Sequence, residues 1–293
     1  EQILQSLPKA MSVLTDPADC GPVTLSLCQD VQSQAYDYPT SFFKPRTWKI
    51  RRPQCDKNEI KSAIQKIIAS KRPLIIAGGG VKYSGASNEL NKFILSSGIP
   101  VAVTQAGKSS VEETNNNFVG SIGVTGSSVA NELAKKSDLV ISVGSRLQDF
   151  TTGSNSLIKG EMISINVQNH DAIKHDGLAL LGDAKVSLDI ILEKIKEYSI
   201  SQNYETEINN LKIHWDKETK KATSKSSSNS LPSDSEVIGA VNRSVPKNTI
   251  VIGAAGSMPG ELHKLWKTGE VNGYHMEYGY SCMGYEIPAG IGV

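Results

Sequence analysis

The feature that most restricts the fold is a regular alternation of segments between residues 56 and 198. Short apolar runs rich in β-branched residues alternate with segments whose apolar residues recur every three or four positions. This alternation is typical of parallel strands joined by helices that cover both faces of the sheet. We therefore expect a doubly wound α/β domain with about five strands. The predicted strands are LIIA (74–77), IPVAVT (99–104), DLVISVGSR (138–146), MISINV (162–167) and LALLG (178–182).

Local signals place several helix ends. Asp56 followed by Glu59 predicts the start of the first helix, and Gly98 predicts the end of another after its apolar stripe. The stretch FVGSIGVTG, residues 118–126, is interpreted as irregular. Residues 203–222 place apolar side chains at helical spacing among many charges, which predicts a helix on a surface.

The complete domain is expected to lie between two incomplete α/β domains. Residues 1–53 offer one helix, a predicted strand GPVTLSLCQDVQ (21–32) and an extended exit. The central domain is assigned to residues 54–200, and a connecting helix with a Ser-rich linker to 201–233. Residues 234–293 supply a helix capped by Asp234 or Ser235, the strand TIVIGAAG and a helix starting at Pro259, which are too few elements to close a core.

Composition excludes several classes of protein. Lys and Arg number 31 against 30 Asp and Glu, for a net charge of +1, so no strongly charged surface for nucleic acid or membrane is indicated. The four cysteines form no CxxC pair, and no apolar run approaches the roughly 20 residues that span a bilayer. We expect a cytoplasmic protein whose partners are small molecules or other subunits.

No single side chain stands out as a catalytic group. The Gly78–Gly80 run could hold a dinucleotide phosphate, but it lacks the full GxGxxG spacing, and a tight turn is favoured. In NHDAIKHD, residues 169–176, a solvated loop is favoured over a metal site because the two histidines do not share a helix face. Cys282 could be a nucleophile, but a small packed thiol is favoured. His263 and His275 could transfer protons, but surface or packing roles are favoured.

The most specific pattern points to a backbone turn near the end of the sequence. Gly279 and Gly284 bracket Met283, and Pro288 lies at the start of a helical segment, where its fixed φ is tolerated. This arrangement predicts a turn that presents Met283 and its peptide groups outward.

Five segments resemble the thiamine diphosphate enzymes, in the order found in that family. GPVTLSLCQDVQ resembles the last strand of their pyrimidine-binding domain. Their central domain is resembled by GGGVKYSGASNEL, ISVGSRLQDFTTG and SINVQNHDAIKHD. SCMGYEIPAGIG is similar to the methionine turn of their diphosphate-binding domain. Further segments, AYDYP, AAGSMPGELHKLW and GYHMEYGYSCMGYE, are similar to a branch that hydrolyses a cyclic polyhydroxy 1,2-dione in inositol catabolism.

The resemblance implies thiamine diphosphate and Mg²⁺ as cofactors, and a homo-oligomer with the cofactor between subunits. It implies that Met283 wedges between the two rings of the cofactor and that backbone groups at Ser281 and Met283 bind the aminopyrimidine edge. The implied cofactor-binding residues are Gly279, Ser281, Cys282, Met283 and Gly284.

Two functional parts of the family are not found in this sequence. Its activating Glu would precede residue 1, and its GDG…Asn motif for metal and diphosphate would follow residue 293. No catalytic or metal-binding residue is therefore assigned within the chain, which we expect to be an internal fragment that is inactive alone. Two other readings stay open, namely an acetolactate synthase-like carboligase and a non-catalytic FAD- or NAD-binding module.

Overall fold

The computed structural model describes residues 1–226, 231–254, 256–277, 279–280 and 282–293. The chain divides into two compact units, Glu1–Pro53 and Gln54–Val293. The finer division into four parts stays a prediction, and residues 227–230 of the predicted Ser-rich linker lie outside the described residues.

The first unit is built from short helical segments. It contains α1 (Ile3–Leu14), the one-turn helix α2 (Gln29–Gln32) and a 3-10 turn at Thr40–Phe43. The strand predicted for residues 21–32 is wrong, because residues 21–28 form no regular structure and the last residues of that segment form α2. Val23, Leu25 and Leu27 are exposed there. A strand needs a neighbour for its backbone groups, and none pairs with this segment among residues 1–53.

The second unit is organised by a parallel sheet of six strands in the order β3-β2-β1-β4-β5-β6. The doubly wound α/β prediction is confirmed, with one strand more than expected. Its elements are α3 (Lys57–Ala69), β1 (Pro73–Ala77), α4 (Gly79–Ser84), α5 (Ser87–Ser97), β2 (Val101–Val103), β3 (Phe118–Ser121), α6 (Ser128–Lys136), β4 (Leu139–Val143), α7 (Asp149–Thr152), β5 (Glu161–Asn166), α8 (Asn169–Ile173), β6 (Leu178–Leu181), α9 (Ala184–Lys194) and α10 (Gln202–Ala222).

The extra strand is β3, which the sequence reading took as irregular. It is four residues long, and Gly120 within it has φ of 92°, so it carries little of the β-branched pattern that marks a strand. Its pairing with β2 is interrupted between Val101 and Val103. An edge strand of this kind forms because it pairs with the neighbouring strand β2, and its own sequence gives little indication of it.

The central strands are buried on both faces, as a covered parallel sheet requires. One core cluster contains Ile67, Phe93 and Leu188 from the helices on one face, and the other contains Leu133 and Tyr204 from α6 and α10. The helix ends predicted at Asp56 and Gly98 are both confirmed. Asp56 accepts hydrogen bonds from the N–H groups of Asn58 and Glu59 at the start of α3, and Gly98 ends α5 in the left-handed region. No helix in the described ranges is long and apolar enough to cross a bilayer.

A second, two-stranded parallel sheet follows. Its elements are α11 (Asp234–Ser244), β7 (Val251–Gly253), α12 (Ser257–Leu265), β8 (Tyr274–Met276) and α13 (Glu286–Gly292). The cap of α11 is Ser233, which forms a reciprocal capping box with Glu236, and not Asp234 or Ser235. Pro259 lies in the first turn of α12, which begins at Ser257. Strand β8 was not predicted, because its residues Tyr-His-Met include no β-branched side chain.

Strands β1 and β4 leave the sheet in direct backbone contact. The N–H of Gly78 donates to the Val143 carbonyl at 2.8 Å, and the N–H of Gly80 donates to the Gly144 carbonyl at 2.8 Å. A Cβ on Gly80 would lie 2.7 Å from the Cα of Gly144, whose own φ is +59°. The favoured reading of Gly78–Gly80 as a close turn is consistent with this contact, since only glycines allow such an approach.

We expect Gly80→Ala to lower the free energy of unfolding by about 1–3 kcal/mol, because the added methyl group would push the two strand exits apart. The matched control is Gly292→Ala in α13, where a Cβ meets no atom within 4 Å. Urea unfolding followed by circular dichroism measures both. Equal midpoints for the two variants would contradict the role given to the glycine contact.

Candidate functional site

A cleft of about 770 Å³ lies where the carboxyl ends of both sheets meet. Open parallel sheets bind ligands at this edge, because the loops that follow the strands converge there. Its lining comes from the exits of β2, β3, β4, β5, β7 and β8, and comprises Gln105, Thr125, Leu147, Gln148, Asp149, Phe150, Asn155, Lys174, His175, Ala254, Gly256, Gly260, Met276 and Gly279. The walls offer amide, hydroxyl and charged groups, which suits a polar ligand of small to moderate size.

One wall of the cleft is backed by a buried histidine on α12. Thr125 Oγ1 and His263 Nδ1 share a hydrogen bond of 2.9 Å, and Gln105 Nε2 donates to the same Thr125 oxygen at 3.4 Å. The His263 carbonyl accepts from Ser121 Oγ at 2.5 Å. These contacts tie α12 to the exit of β3 and fix the Thr125 hydroxyl at the surface of the cleft.

Burial keeps His263 neutral. The side chain is fully buried and its Nε2 has no hydrogen-bond partner in the described part of the chain. The pKa of His263 is lowered to about 3, mainly because burial removes the ring from water and secondly because the Lys108 charge lies nearby. The full burial of His263 confirms the packing role favoured for it.

The loop after β2 holds β8 in place. The N–H of Asn272 donates a hydrogen bond of 3.0 Å to the Ser109 carbonyl. The N–H of Tyr274 donates one of 3.2 Å to the Ser109 hydroxyl oxygen. Lys82 donates to the Tyr274 carbonyl at 3.2 Å, and burial lowers the pKa of Lys82 to about 8. Beneath this contact, the buried Lys108 ammonium lies 3.3 Å from Glu113. The second sheet is thus joined to the first by specific polar contacts.

The predicted methionine turn lies beyond β8. Met283 is 88% exposed, and Gly284 has φ of 87° with open space where a Cβ would be. Gly279 lines the cleft, whereas Ser281 lies outside the described residues. The prediction of a packed thiol at Cys282 is wrong, because the residue is exposed. The N–H of Cys282 is turned instead toward Glu277, at 2.8 Å from Oε2.

Other candidate residues fall outside this arrangement. The crevice between β1 and β4, where doubly wound folds hold a dinucleotide phosphate, is filled by the Gly80–Gly144 backbone contact. The segment predicted as a solvated loop instead forms the short helix α8, and only His175 of its two histidines lines the cleft. No group of three or more metal-ligating side chains occurs among the described residues.

The residues present fit part of a thiamine diphosphate site. An exposed methionine on a glycine-flanked turn can reach a ring system, and the peptide groups beside it can donate and accept hydrogen bonds. The polar lining of the cleft was missed by sequence reasoning. The rule that ligands bind at the strand exits could have directed attention to Gln105 and Thr125, the residues that follow β2 and β3.

The neutral His263 predicts a specific dependence of stability on pH. The pKa is about 3 in the folded chain against 6.5 when exposed, so unfolding takes up a proton as the pH falls through 6.5 toward 3. We expect this residue to remove about 2 kcal/mol of stability between pH 7 and pH 5.

The measurement is urea unfolding at both pH values for the native sequence and for His263→Gln, which cannot titrate. The difference between the two pH slopes isolates the histidine. Parallel slopes would show that His263 is accessible to protons in the folded chain.

Comparisons with known proteins give a consistent result. Residues 60–191 match the family described as thiamine pyrophosphate enzyme, central domain. Proteins named 3D-(3,5/4)-trihydroxycyclohexane-1,2-dione hydrolase are similar over 100% of this chain, with 43% identity in Clostridium tetani, 40% in Geobacillus thermodenitrificans and 38% in Bacillus anthracis. The chain spans about half the length of these relatives, 49–50%. Residues 60–191 therefore match the central domain of the thiamine pyrophosphate enzymes, and the chain as a whole is similar to about half the length of the hydrolases named here.

Proposed function

We propose that this chain forms part of a thiamine diphosphate-dependent hydrolase that acts on a cyclic polyhydroxy 1,2-dione. The reaction is hydrolysis of the C–C bond of 3D-(3,5/4)-trihydroxycyclohexane-1,2-dione to 5-deoxyglucuronate in inositol catabolism. The observation that carries the proposal is 43% identity, over the whole chain, to a protein named for this substrate. The exposed Met283 turn beside a polar cleft agrees with it.

The chain would contribute a binding surface for the cofactor. Met283 would contact its rings, and peptide groups at Ser281 and Met283 would bind its aminopyrimidine edge, with Gly279, Cys282 and Gly284 shaping the turn. When bound, thiamine diphosphate supplies the nucleophilic carbon for attack on a ketone. The task of the protein is then orientation, and fixing reacting groups at short distance contributes up to several kcal/mol to a barrier reduction.

The cleft would take the substrate. A polyhydroxy ring needs both donors and acceptors, and Gln105, Thr125, Gln148 and Asn155 supply both in a lining that also holds the apolar Phe150. Because His263 stays neutral, Thr125 faces the cleft without a neighbouring imidazolium charge.

Further parts would be supplied outside this chain. The activating Glu and the Mg²⁺ site belong, under this proposal, to the half of the relatives that the chain does not span. A homo-oligomer would place the cofactor between subunits, in the cytoplasm. The chain by itself would then neither retain the cofactor nor catalyse the reaction.

The direct test is hydrolysis of the dione by the complete subunit, with Met283→Ala as the informative variant. We expect Met283→Ala to lower kcat at least tenfold and to weaken thiamine diphosphate binding, because the turn loses its contact with the rings. Ile291→Ala is the matched control, since Ile291 is also an exposed apolar residue, at 82%, but lies on α13 away from the turn.

Formation of acetolactate from pyruvate by the wild type, without dione hydrolysis, would instead favour the carboligase. Calorimetric titration of the isolated 293-residue chain with thiamine diphosphate tests whether this chain can hold the cofactor without the rest of the subunit. Measurable affinity there would contradict the proposed division of the site.

A further inference from the structure

Two side chains of β8 and its exit face the methionine turn. His275 lies within β8, and Glu277 follows it two residues later, so both side chains point to the same side of the extended backbone. The N–H of Glu277 donates to the Gly253 carbonyl at 3.0 Å, which continues the ladder with β7. Both residues are therefore anchored to the sheet.

Glu277 binds the first half of the turn through both carboxylate oxygens. Oε1 accepts the N–H of Tyr280 at 3.0 Å, and Oε2 accepts the N–H of Cys282 at 2.8 Å. These two hydrogen bonds hold the pKa of Glu277 below its usual value, and the one from the N–H of Cys282 has the larger effect. Hydrogen bonds to an ionised acceptor are stronger than neutral ones, so these contacts define the path of the backbone.

His275 binds the second half. Its Nε2 lies 2.5 Å from the Tyr285 hydroxyl oxygen, and the two rings are stacked with centroids 5.6 Å apart and planes at 25°. Tyr285 follows Gly284 directly. Met283 thus lies between a segment held by Glu277 and a residue held by His275.

Packing contributes little to the shape of this turn. Tyr280 is 91% exposed and Met283 88% exposed, and a Cβ on Gly284 would meet no atom within 4 Å. A turn with so few apolar contacts would sample many conformations unless polar contacts fix it, and ordering it upon binding would cost affinity.

We propose that Glu277 and His275 are positioning residues, which hold the two flanks of the turn so that Met283 is presented to the cofactor in its binding conformation. The proposal rests on the proposed function, but the clamp itself concerns this chain alone. It assigns to Glu277 a task other than acid–base chemistry.

The test uses Glu277→Gln in the complete subunit. The amide keeps the size of the side chain but replaces one acceptor oxygen with a donor, so one of the two N–H groups loses its partner. We expect hydrogen exchange at the amides of Tyr280 and Cys282 to accelerate at least tenfold, as the loss of a bond to a charged group implies. We also expect kcat to fall about tenfold with little change in KM, and Glu277→Asp to restore part of it.

Glu286→Gln on α13 is the matched control, and it should leave exchange at the two amides unchanged. Tyr285→Phe tests the other flank and guards against a Glu277 variant that does not fold. Unchanged exchange and kinetics in Glu277→Gln and Tyr285→Phe would overturn the proposal. Faster exchange combined with no dione hydrolysis by the wild type would support the clamp and refute the proposed function.

Discussion

The backbone contact between the exits of β1 and β4 is the constraint on which the rest of this structure depends. It joins Gly80 to Gly144 by a hydrogen bond of 2.8 Å at the centre of the six-stranded sheet. Parallel strands end at one edge of the sheet, and the loops that line the cleft begin at that edge. The contact between Gly80 and Gly144 sets the spacing of the two central strands there. The same contact lies at the crevice where doubly wound folds bind a dinucleotide phosphate. The described cleft adjoins it and draws its lining from the strand exits of both sheets.

The junction of the two sheets is polar and deeply buried. Lys108 and His263 are buried, and the Glu113 side chain that pairs with Lys108 is 10% exposed. Their contacts are hydrogen bonds and an ion pair, which are directional. Buried polar groups are costly unless their partners are well placed, so such a junction allows few alternative arrangements. This specificity matters because the cleft receives residues from both sheets. A small displacement of α12 or β8 would change the position of Thr125 or Met276 in its wall.

The described residues place a polar cleft next to the methionine turn, and the cleft lining includes Asp149, Lys174 and His175. His263, the one deeply buried imidazole, is held neutral. Under the proposed function, a cofactor supplies the reactive carbon and this chain contributes its orientation. The similarity to hydrolases over the whole chain points the same way, and Glu277 is then read as an anchor for peptide groups rather than as a proton carrier.

Local signals in the sequence were sufficient for most of the central domain. Apolar periodicity and capping predicted α3, α5, α10 and the five strands β1, β2, β4, β5 and β6, whereas α8 was predicted as a loop. The glycines around Met283 predicted an exposed turn. The short strands β3 and β8 were not predicted, because β3 contains Gly120 and β8 has no β-branched residue, and each is a strand only through its pairing with a neighbour. For the same reason, residues 21–28 look like a strand but form none where no neighbour pairs with them.

The sequence by itself therefore determined the fold class and the turn, since both can be predicted from patterns of residues close along the chain. Only the tertiary structure decided the cleft, the neutral His263 and the clamp on Met283. The cleft and His263 depend on residues far apart in sequence, such as Thr125 and His263, whose meeting is set by how the two sheets pack. The clamp joins residues at most 10 positions apart, but its place depends on the pairing of β8 with β7.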